Sequence, residues 1–306
     1  MKRSWFFTLG VALTIAVAVS AEQSSGEEAQ DRRDAWPARV LLTNDDGISE
    51  TRLWALAKAF SKNTKTYVVA NTVDRSGSSN YSSLFGKDGP ALFVQREYVG
   101  DSIVAYGVAG YPADCVMFAA TGLMKDHRPD LVVSGINGGA NAGVGGWFGS
   151  GTIGAARMAA LLGLPAIAVS GLDDDDPEMV GRLTSWVVKF AGSDVVRQLQ
   201  PGQFLTVSVP RVKASEIRGV KFAERAPPVT DLEFVNVWSD AEDEDDDETK
   251  EVWVLTMKPR PGGLAPDSDI AWLEKGYVVV VPMRIDEHDR ALLSKLRAGD
   301  YSIPEW

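Results

Sequence analysis

The sequence has little of the two side chains that most often build zinc sites and disulfides. It holds one cysteine, Cys115, and two histidines, His127 and His288, among 306 residues. A single cysteine excludes an intrachain disulfide and a zinc-finger site. One histidine falls in a predicted helix-to-strand turn and the other in a polar segment near the C-terminus. We therefore predict surface positions for both, and neither a histidine nucleophile nor a histidine general acid.

Two catalytic motifs are also missing, and no internal repeat stands out. The sequence contains no G-x-x-x-x-G-K-[ST] segment, which excludes a P-loop. It contains no G-x-S-x-G elbow, which argues against an ester hydrolase of the Ser-His-Asp kind. Positive charge is scarce as well, since the net charge is −11. This excess of acid disfavours a nucleic-acid duplex as a partner, whereas a small anionic substrate remains compatible with it, because a metal ion and backbone amides act locally.

The only long apolar run is at the N-terminus. It extends over residues 5–19, follows Lys2 and Arg3, and precedes Ser20 and Ala21. This pattern predicts a secretory signal over residues 1–21, cleaved after Ala21, and hence a periplasmic or secreted protein. The alternative is an uncleaved anchor, but the run is shorter than the ~20 residues that a membrane span needs. Residues 22–35 are polar and predict a disordered tether.

From Trp36 onward, apolar strands alternate with amphipathic helices. This alternation predicts an α/β fold with a Rossmann-like, doubly wound, mostly parallel sheet over residues 36–210. The predicted strands are 40–43, 66–70, 91–94, 103–108, 130–137, 166–170 and 204–209. The predicted helices are 49–62, 114–124 (begun by Pro112), 153–162 and 177–199. In the first helix, Leu53, Leu56, Ala57 and Phe60 recur at helical spacing and should face the core.

The C-terminal region, residues 211–306, departs from this alternation. Strands are predicted at 220–224, 232–238 and 252–257, then a short helix from Asp267 and a last strand at 276–282. The second and third of these form a hairpin whose tip, 240–248, holds eight acids in nine positions. Such a block repels itself and stays solvated, and a calcium site is disfavoured because no D-x-[DN]-x-[DN]-G spacing is present. Since isolated hairpins are marginal in water, we expect this one to pack on another subunit of a homodimer or homotetramer.

Polar side chains follow several predicted strands at the point where each strand ends. Asn44, Asp45 and Asp46 follow the first strand, Ser76 follows the second, and Asn137 and Asn141 follow a later one. Adjacent carboxylates are tolerated mainly when a cation or a donor lies between them, although Asp46 as a simple helix cap is an equally open interpretation. These hard oxygen donors favour magnesium, manganese or calcium over structural zinc.

The segment 138–152 is rich in glycine and leads into a helix. Amides at such a helix start can bind an anion, for which phosphate is the natural candidate. A flexible surface connection is the alternative, because a glycine-rich loop alone is a weak signal.

Five short motifs together carry a resemblance to a known family. They are Asn44-Asp45-Asp46-Gly47, Asp74-Arg75-Ser76-Gly77-Ser78-Ser79, Gly110-Tyr111-Pro112-Ala113-Asp114-Cys115, Ser134-Gly135-Ile136-Asn137 and Ser150-Gly151-Thr152. In this order, over residues 39–283, they resemble the SurE family of survival-protein 5'/3'-nucleotidases. The resemblance implies a metal-dependent phosphomonoester hydrolase that acts on nucleotides and sometimes on polyphosphate, and a C-terminal hairpin used in dimer or tetramer exchange.

The resemblance also implies roles for individual residues. The divalent cation, Mg²⁺ or Mn²⁺, would be held by Asp45, Asp46, Ser76 and Asn137. The phosphate pocket would be formed by Asn141, Ser150, Gly151 and Thr152, and the catalytic residues would be Asp45, Asp46 and Asn141. Water would be the nucleophile, with a covalent aspartyl phosphate as the alternative route.

A non-catalytic module of the receiver type is the competing class, because an acidic pair also ends its first strand. That class needs an acceptor aspartate at a later strand end, where this sequence has Asn137. The chain departs from the family pattern at Tyr111, where threonine is usual, and at Met158, where glutamate is common. Its glycine-rich loop is one residue longer and carries Trp147 and Phe148.

Overall fold

The structure is a computed structural model, and it describes residues 36–86, 91–172, 176–237, 251–261 and 263–298. The predicted signal at 1–21, the tether at 22–35 and the acidic hairpin tip at 240–248 lie outside the described residues. Within the described ranges, every helix is too short or too polar to cross a membrane.

Nine of the described strands form one sheet, in the order β3-β4-β2-β1-β5-β6-β7-β11-β8. Six neighbouring strands, from β4 to β7 in this order, run parallel. β3 is antiparallel to β4, β11 is antiparallel to β7, and β8 is parallel to β11. The bounds are β1 Arg39–Thr43, β2 Lys65–Asn71, β3 Val94–Val99, β4 Ile103–Val108, β5 Leu131–Asn137, β6 Ala166–Ser170, β7 Gln203–Ser208, β8 Val220–Phe222 and β11 Val278–Arg284.

Helices cover both faces of this sheet. Their bounds are α1 Thr51–Phe60, α2 Pro112–Phe118, α3 Gly143–Gly149, α4 Gly151–Leu161, α5 Pro177–Ala191, α6 Asp194–Arg197, α7 Asp269–Glu274 and α8 Arg290–Ala298. Successive side chains of a strand point to opposite faces, so in β1 the side chains of Val40 and Leu42 pack with α1 and α5, while Leu41 packs with α2 and α4. Coverage of both faces explains why the central strands are apolar throughout. The predicted doubly wound, mostly parallel fold is confirmed.

The first helix agrees with its predicted pattern, since Leu53, Leu56, Ala57 and Phe60 are its buried residues. The predicted helix at 177–199 is wrong in one respect, because it is divided into α5 and α6. Gly192 follows the last residue of α5, and glycine is a common helix terminator. The helix predicted to extend from 114 to 124 is α2 followed by a π-helical turn, Ala119–Leu123.

The predicted strand at 91–94 is also wrong, because β3 starts at Val94 and continues to Val99. β3 is an edge strand with residues 95–99 exposed, so it lacks the apolar run that marked the central strands.

The glycine-rich segment is not simply a loop, because residues 143–149 form α3. Glycine disfavours a helix by about 1 kcal/mol per residue relative to alanine, so the sequence gives no signal for this element. Contacts from distant segments hold its start. The amide of Gly143 donates to Asp269 Oδ2 at 2.7 Å, and the amide of Val144 donates to the Ala226 carbonyl at 3.0 Å.

The predicted hairpin is present as a separate two-stranded antiparallel sheet, formed by β9 Thr230–Asn236 and β10 Trp253–Pro259. The neighbouring strand β8 was predicted to lie outside the βα alternation, but it pairs with β11 at the edge of the main sheet.

Candidate active site

The candidate site lies where neighbouring parallel strands end. β1 is flanked by β2 and β5, so the segments that leave these three strands emerge at one edge of the sheet. The backbone carbonyl of Asp45 accepts hydrogen bonds from the Arg75 amide and from Asn71 Nδ2, each at 2.8 Å. The loop after β2 is thereby fastened to the acid pair after β1.

The Asp45 carboxylate is buried, with 2% of the residue exposed. Its Oδ1 accepts a hydrogen bond of 2.5 Å from the Thr152 hydroxyl in α4. The first residue of α4, Gly151, packs so closely here that an added methyl group would lie 2.9 Å from Asp45 Oδ2 and 2.7 Å from Ser78 Oγ. Only glycine allows this approach, which brings the start of α4 against the acid pair. Burial raises the pKa of Asp45, and the Thr152 hydrogen bond partly offsets that effect.

Asp46 does not cap the following helix, because α1 begins at Thr51 with Glu50 as its N-cap. Its Oδ2 is buried and accepts no hydrogen bond, and the nearest cation is Arg52, with Nη2 at 3.9 Å. Arg52 itself donates to Glu50 Oε1 and to the Leu172 carbonyl. Burial and then the adjacent Asp45 charge raise the pKa of Asp46 to about 7. Two neighbouring acids and one buried oxygen without a donor suit a divalent cation.

Ser76 and Asn137 can supply neutral oxygens to this edge. Ser76 is exposed, and its hydroxyl and amide both donate to Asp74 Oδ1 at 2.7 Å. Asn137 directs its side-chain nitrogen to the carbonyls of Gly138 and Gly139, so its side-chain oxygen is the atom left to bind a ligand. Among the described residues, no three His, Cys, Asp or Glu side chains form a metal-holding group. A cation at this edge would therefore depend on two carboxylates and neutral oxygens, and the set Asp45, Asp46, Ser76 and Asn137 stays a prediction.

The predicted phosphate residues surround the start of α4. Ser150 is its N-cap, and the Ser150 hydroxyl oxygen accepts from the Ile153 amide at 3.1 Å. Thr152 is fully buried and its hydroxyl proton is committed to Asp45, so this side chain positions the carboxylate and has no proton to offer a phosphate. The first amides of a helix have no intrahelical acceptor and can bind an anion. Asn141 Nδ2 is a buried donor with no acceptor, as expected for a group that binds phosphate.

Sequence reasoning missed three residues that shape the site. Asn71 holds the loop after β2, because its side chain bridges the carbonyls of Asp45 and Val73. Ser78 has a buried hydroxyl with no hydrogen-bond partner and faces Gly151. Asp269 is buried and accepts from the amides of Gly143 and Ala226. Asn71 could have been predicted as a site residue, because it is a polar side chain at the end of a strand. Asp269 could not, because it lies 126 residues from Gly143 and no local pattern reports their contact.

Both histidines are exposed, as predicted, and His127 lies in the turn before β5. The single cysteine is buried in α2, and burial raises the pKa of its thiol. Neither residue type contributes to the candidate site.

The model of the family described as survival protein SurE matches residues 40–228, which include every residue placed at this site except Asp269. The chain belongs to the SurE family. Several curated relatives of the SurE family align with most of the chain. It is 34% identical to the 5'-nucleotidase SurE of Solidesulfovibrio magneticus over 85% of this chain and 96% of the relative. It is also 34% identical to the 5'/3'-nucleotidase SurE of Cronobacter sakazakii, over 81% of this chain and 90% of the relative.

The fold agrees with that of a solved SurE protein. The crystal structure of SurE from Aquifex aeolicus superimposes with a TM-score of 0.69 at 24% identity and covers 85% of this chain and 98% of the other. At this level of identity, the likeness supports the SurE fold alone.

The raised pKa of Asp46 predicts how stability depends on pH when chelator removes divalent cations. The folded pKa is about 7 and the ordinary value is 3.8, so between these values the folded chain binds more protons than the unfolded chain. The free energy of unfolding should therefore fall as the pH rises from about 4 to about 7. Urea titrations should show Asp46→Asn matching the wild type near pH 4 and exceeding it near pH 8. An exposed acid supplies the control, since Asp126→Asn should follow the wild type throughout. Equal pH slopes for Asp46→Asn and the wild type would contradict the assignment.

Proposed function

We propose that the chain is a metal-dependent phosphomonoesterase that removes phosphate from nucleoside 5'- or 3'-monophosphates. Family membership supports a nucleotidase of the hydrolase class, because the curated relatives carry that name. The observation that carries the proposal is the contact of Thr152 and Gly151 with Asp45. It joins a carboxylate pair suited to a cation with a helix start suited to an anion, and phosphate transfer requires both.

In the proposed site, Asp45, Asp46, Ser76 and Asn137 hold one divalent cation, Mg²⁺ or Mn²⁺. This hard-oxygen set fits those ions, and the buried Asp46 oxygen without a donor supports the fit. When bound, the cation supplies positive charge to a phosphate oxygen and acidifies a water molecule. Its charge also compensates the repulsion between the two carboxylates.

The chain's own residues position the phosphate. The amides at the start of α4 and Asn141 Nδ2 would donate to phosphate oxygens. Ser150 lies 7% exposed at this helix start, and its hydroxyl proton is available because only its oxygen is used in capping. Asp46 is the better candidate to orient the attacking water, because its buried Oδ2 has no donor, whereas Asp45 Oδ1 already accepts from Thr152.

Two alternatives to hydrolysis by water predict different experimental results. A covalent aspartyl phosphate would give burst kinetics and a trappable phosphoenzyme, whereas attack by water would give neither. A receiver-like module would bind phosphate without turnover, but it would need an acceptor aspartate, and the residue at that strand end is Asn137.

Substituting Asp45 tests the proposed cation site. Asp45→Asn keeps an oxygen that can accept from Thr152 but removes the ligand charge, so we expect less than a tenth of wild-type phosphate release from AMP at saturating Mg²⁺ or Mn²⁺. A tenfold loss corresponds to about 1.4 kcal/mol in the barrier. In chelator the variant should be at least as stable as the wild type, because a buried charge is gone.

A second readout separates cation binding from catalysis. Added Mn²⁺ should raise the melting temperature of the wild type and of Asp126→Asn, but not that of Asp45→Asn. Retention of more than a tenth of the turnover, or an unchanged response to Mn²⁺, would remove Asp45 from the cation site.

We also propose that the β9–β10 hairpin joins two copies of the chain into a homodimer or homotetramer. Residues opposite each other share a face, which gives the hairpin one apolar and one polar side. The polar side carries the ion pairs Lys258–Glu233 and Arg260–Asp231. The apolar side consists of large side chains that are 45–68% exposed: Leu232, Phe234, Trp253, Leu255 and Met257. A contiguous exposed apolar patch of this kind is typical of an interface.

Introducing positive charge on the apolar side of the hairpin tests the assembly. The double variant Phe234→Lys and Leu255→Lys should lower the mass measured by light scattering to that of a smaller assembly or a monomer. The matched control is Thr256→Lys on the polar side, which should keep the parental mass. Deletion of residues 232–257 should act like the apolar-side variant. An unchanged number of subunits in both variants would refute the role of the hairpin.

Export is proposed from the pattern of residues 1–21 and would let the enzyme act on nucleotides outside the cytoplasm. Mass spectrometry of the protein from its own host should find a chain that starts at Glu22 in the periplasm or medium. An Ala21→Arg variant should block cleavage while the segment remains. A chain that starts at Met1 in the soluble cytoplasmic fraction would contradict export, and the same chain in the membrane fraction would indicate the uncleaved anchor.

A further inference from the structure

A buried carboxylate beside the candidate site fixes the position of an exposed loop. Asp114 in the first turn of α2 is fully buried. It accepts hydrogen bonds from the Ser82 hydroxyl at 2.5 Å, from the Ser83 hydroxyl at 2.7 Å, from the Ser83 amide at 3.1 Å and from the Tyr111 amide at 3.0 Å. Four donors satisfy the buried charge and lock the loop at residues 82–83 against the start of α2.

These hydrogen bonds to Asp114 bring two tyrosine rings together. The centroids of Tyr81 and Tyr111 are 4.5 Å apart, with the rings edge to face at 71°. The guanidinium of Arg75 lies 4.6 Å from the centroid of Tyr111, and Arg75 Nε donates to the Gly110 carbonyl at 3.3 Å. Tyr111 is half-buried by these neighbours, whereas Tyr81 is 55% exposed. An exposed aromatic ring held in one orientation provides a stacking surface at low entropic cost.

The tyrosine pair is connected to the proposed phosphate site by a short, fixed segment. At one end, the Arg75 amide donates to the Asp45 carbonyl at 2.8 Å. In the middle, the Ser78 hydroxyl faces Gly151, and the Ser79 carbonyl occupies the space that a side chain on Gly154 would need. Ser79 adopts a left-handed φ of 51° and donates its hydroxyl to the Phe148 carbonyl at 2.8 Å. Tyr81 follows two residues later, at most ~7 Å along the chain.

We propose that Tyr81 is the base-stacking residue of this site and that Tyr111 and Asp114 position it. The inference rests on the proposed function and makes Tyr81 the residue that favours phosphomonoesters with a flat aromatic group, such as a nucleobase, on the sugar. In this proposal, a nucleotide whose phosphate is bound at the start of α4 directs its base along the segment that leads to Tyr81. Stacking depends on the π-face that every base has, so Tyr81 favours nucleotides over sugar phosphates without selecting a particular base.

The test compares AMP with ribose 5-phosphate, which carries the same phosphate and sugar without the base. The wild type should prefer AMP in kcat/KM. In Tyr81→Leu, this preference should fall about tenfold or more, through a higher KM for AMP. Tyr81→Phe should restore the preference, because the ring and not the hydroxyl stacks. Tyr98 is a matched control, since it is 53% exposed on the edge strand β3, and Tyr98→Leu should keep the wild-type preference.

Each other outcome overturns the inference. An unchanged preference in Tyr81→Leu would show that the ring does not contact the base. An equal loss for both substrates would show that Tyr81 acts only on the geometry of the acid pair. If the wild type released phosphate from neither compound, the proposed function would fail, and calorimetric binding of adenosine against ribose would still decide the inference. Adenosine should then bind the wild type and Tyr81→Phe at least tenfold more tightly than Tyr81→Leu, and equal affinities would refute it.

Discussion

The hydrogen bond from Thr152 to Asp45 joins two parts of the chain that are 107 residues apart. A buried carboxylate is costly unless hydrogen-bond donors or cations compensate its charge. Asp45 accepts such a hydrogen bond from the side chain of Thr152. The geometry around this bond is restricted on all sides. Gly151 must lack a side chain, Ser78 fills the adjoining space, and the Asp45 carbonyl is bound by Asn71 and Arg75. The edge of the sheet and the start of α4 therefore adopt one relative position.

Two further buried carboxylates perform the same structural task nearby. Asp114 fastens the loop after β2 to α2, and Asp269 fastens the start of α3 to the segment after β8. In each case an aspartate side chain accepts hydrogen bonds from backbone amides or hydroxyl groups of a segment that is distant in sequence. The site is thus built from loops, yet each loop is held by charge-assisted hydrogen bonds to a rigid element. This arrangement gives loop residues the precision that chemistry on phosphate requires.

The parts of the fold that sequence predicted correctly are those with local signals. The run before Asp45 is apolar because β1 is covered on both faces, and the spacing of Leu53, Leu56 and Phe60 reports the buried side of α1. α3 was missed because its glycines oppose a helix and its stability comes from Asp269, far along the chain. The position of edge strand β3 was predicted wrongly, because its residues are exposed and therefore lack the apolar pattern of a buried strand. The acid pair was predictable from adjacent charges, but the commitment of Thr152 to Asp45 depends on a tertiary contact that no local pattern reports.

The long separation between Asp45 and Thr152 has a consequence for protein synthesis. β1 leaves the ribosome early, and the segment after β2 can join it soon afterwards, because Asn71 is only 26 residues from Asp45. The donor in α4 is translated much later, after the three strands β3, β4 and β5. Until then a nascent chain carries its acid pair without the hydroxyl and helix start that complete the site. The site can therefore be completed only after α4 has been synthesised, and a chain that stops before Gly151 holds four of the six neighbouring parallel strands but not α4.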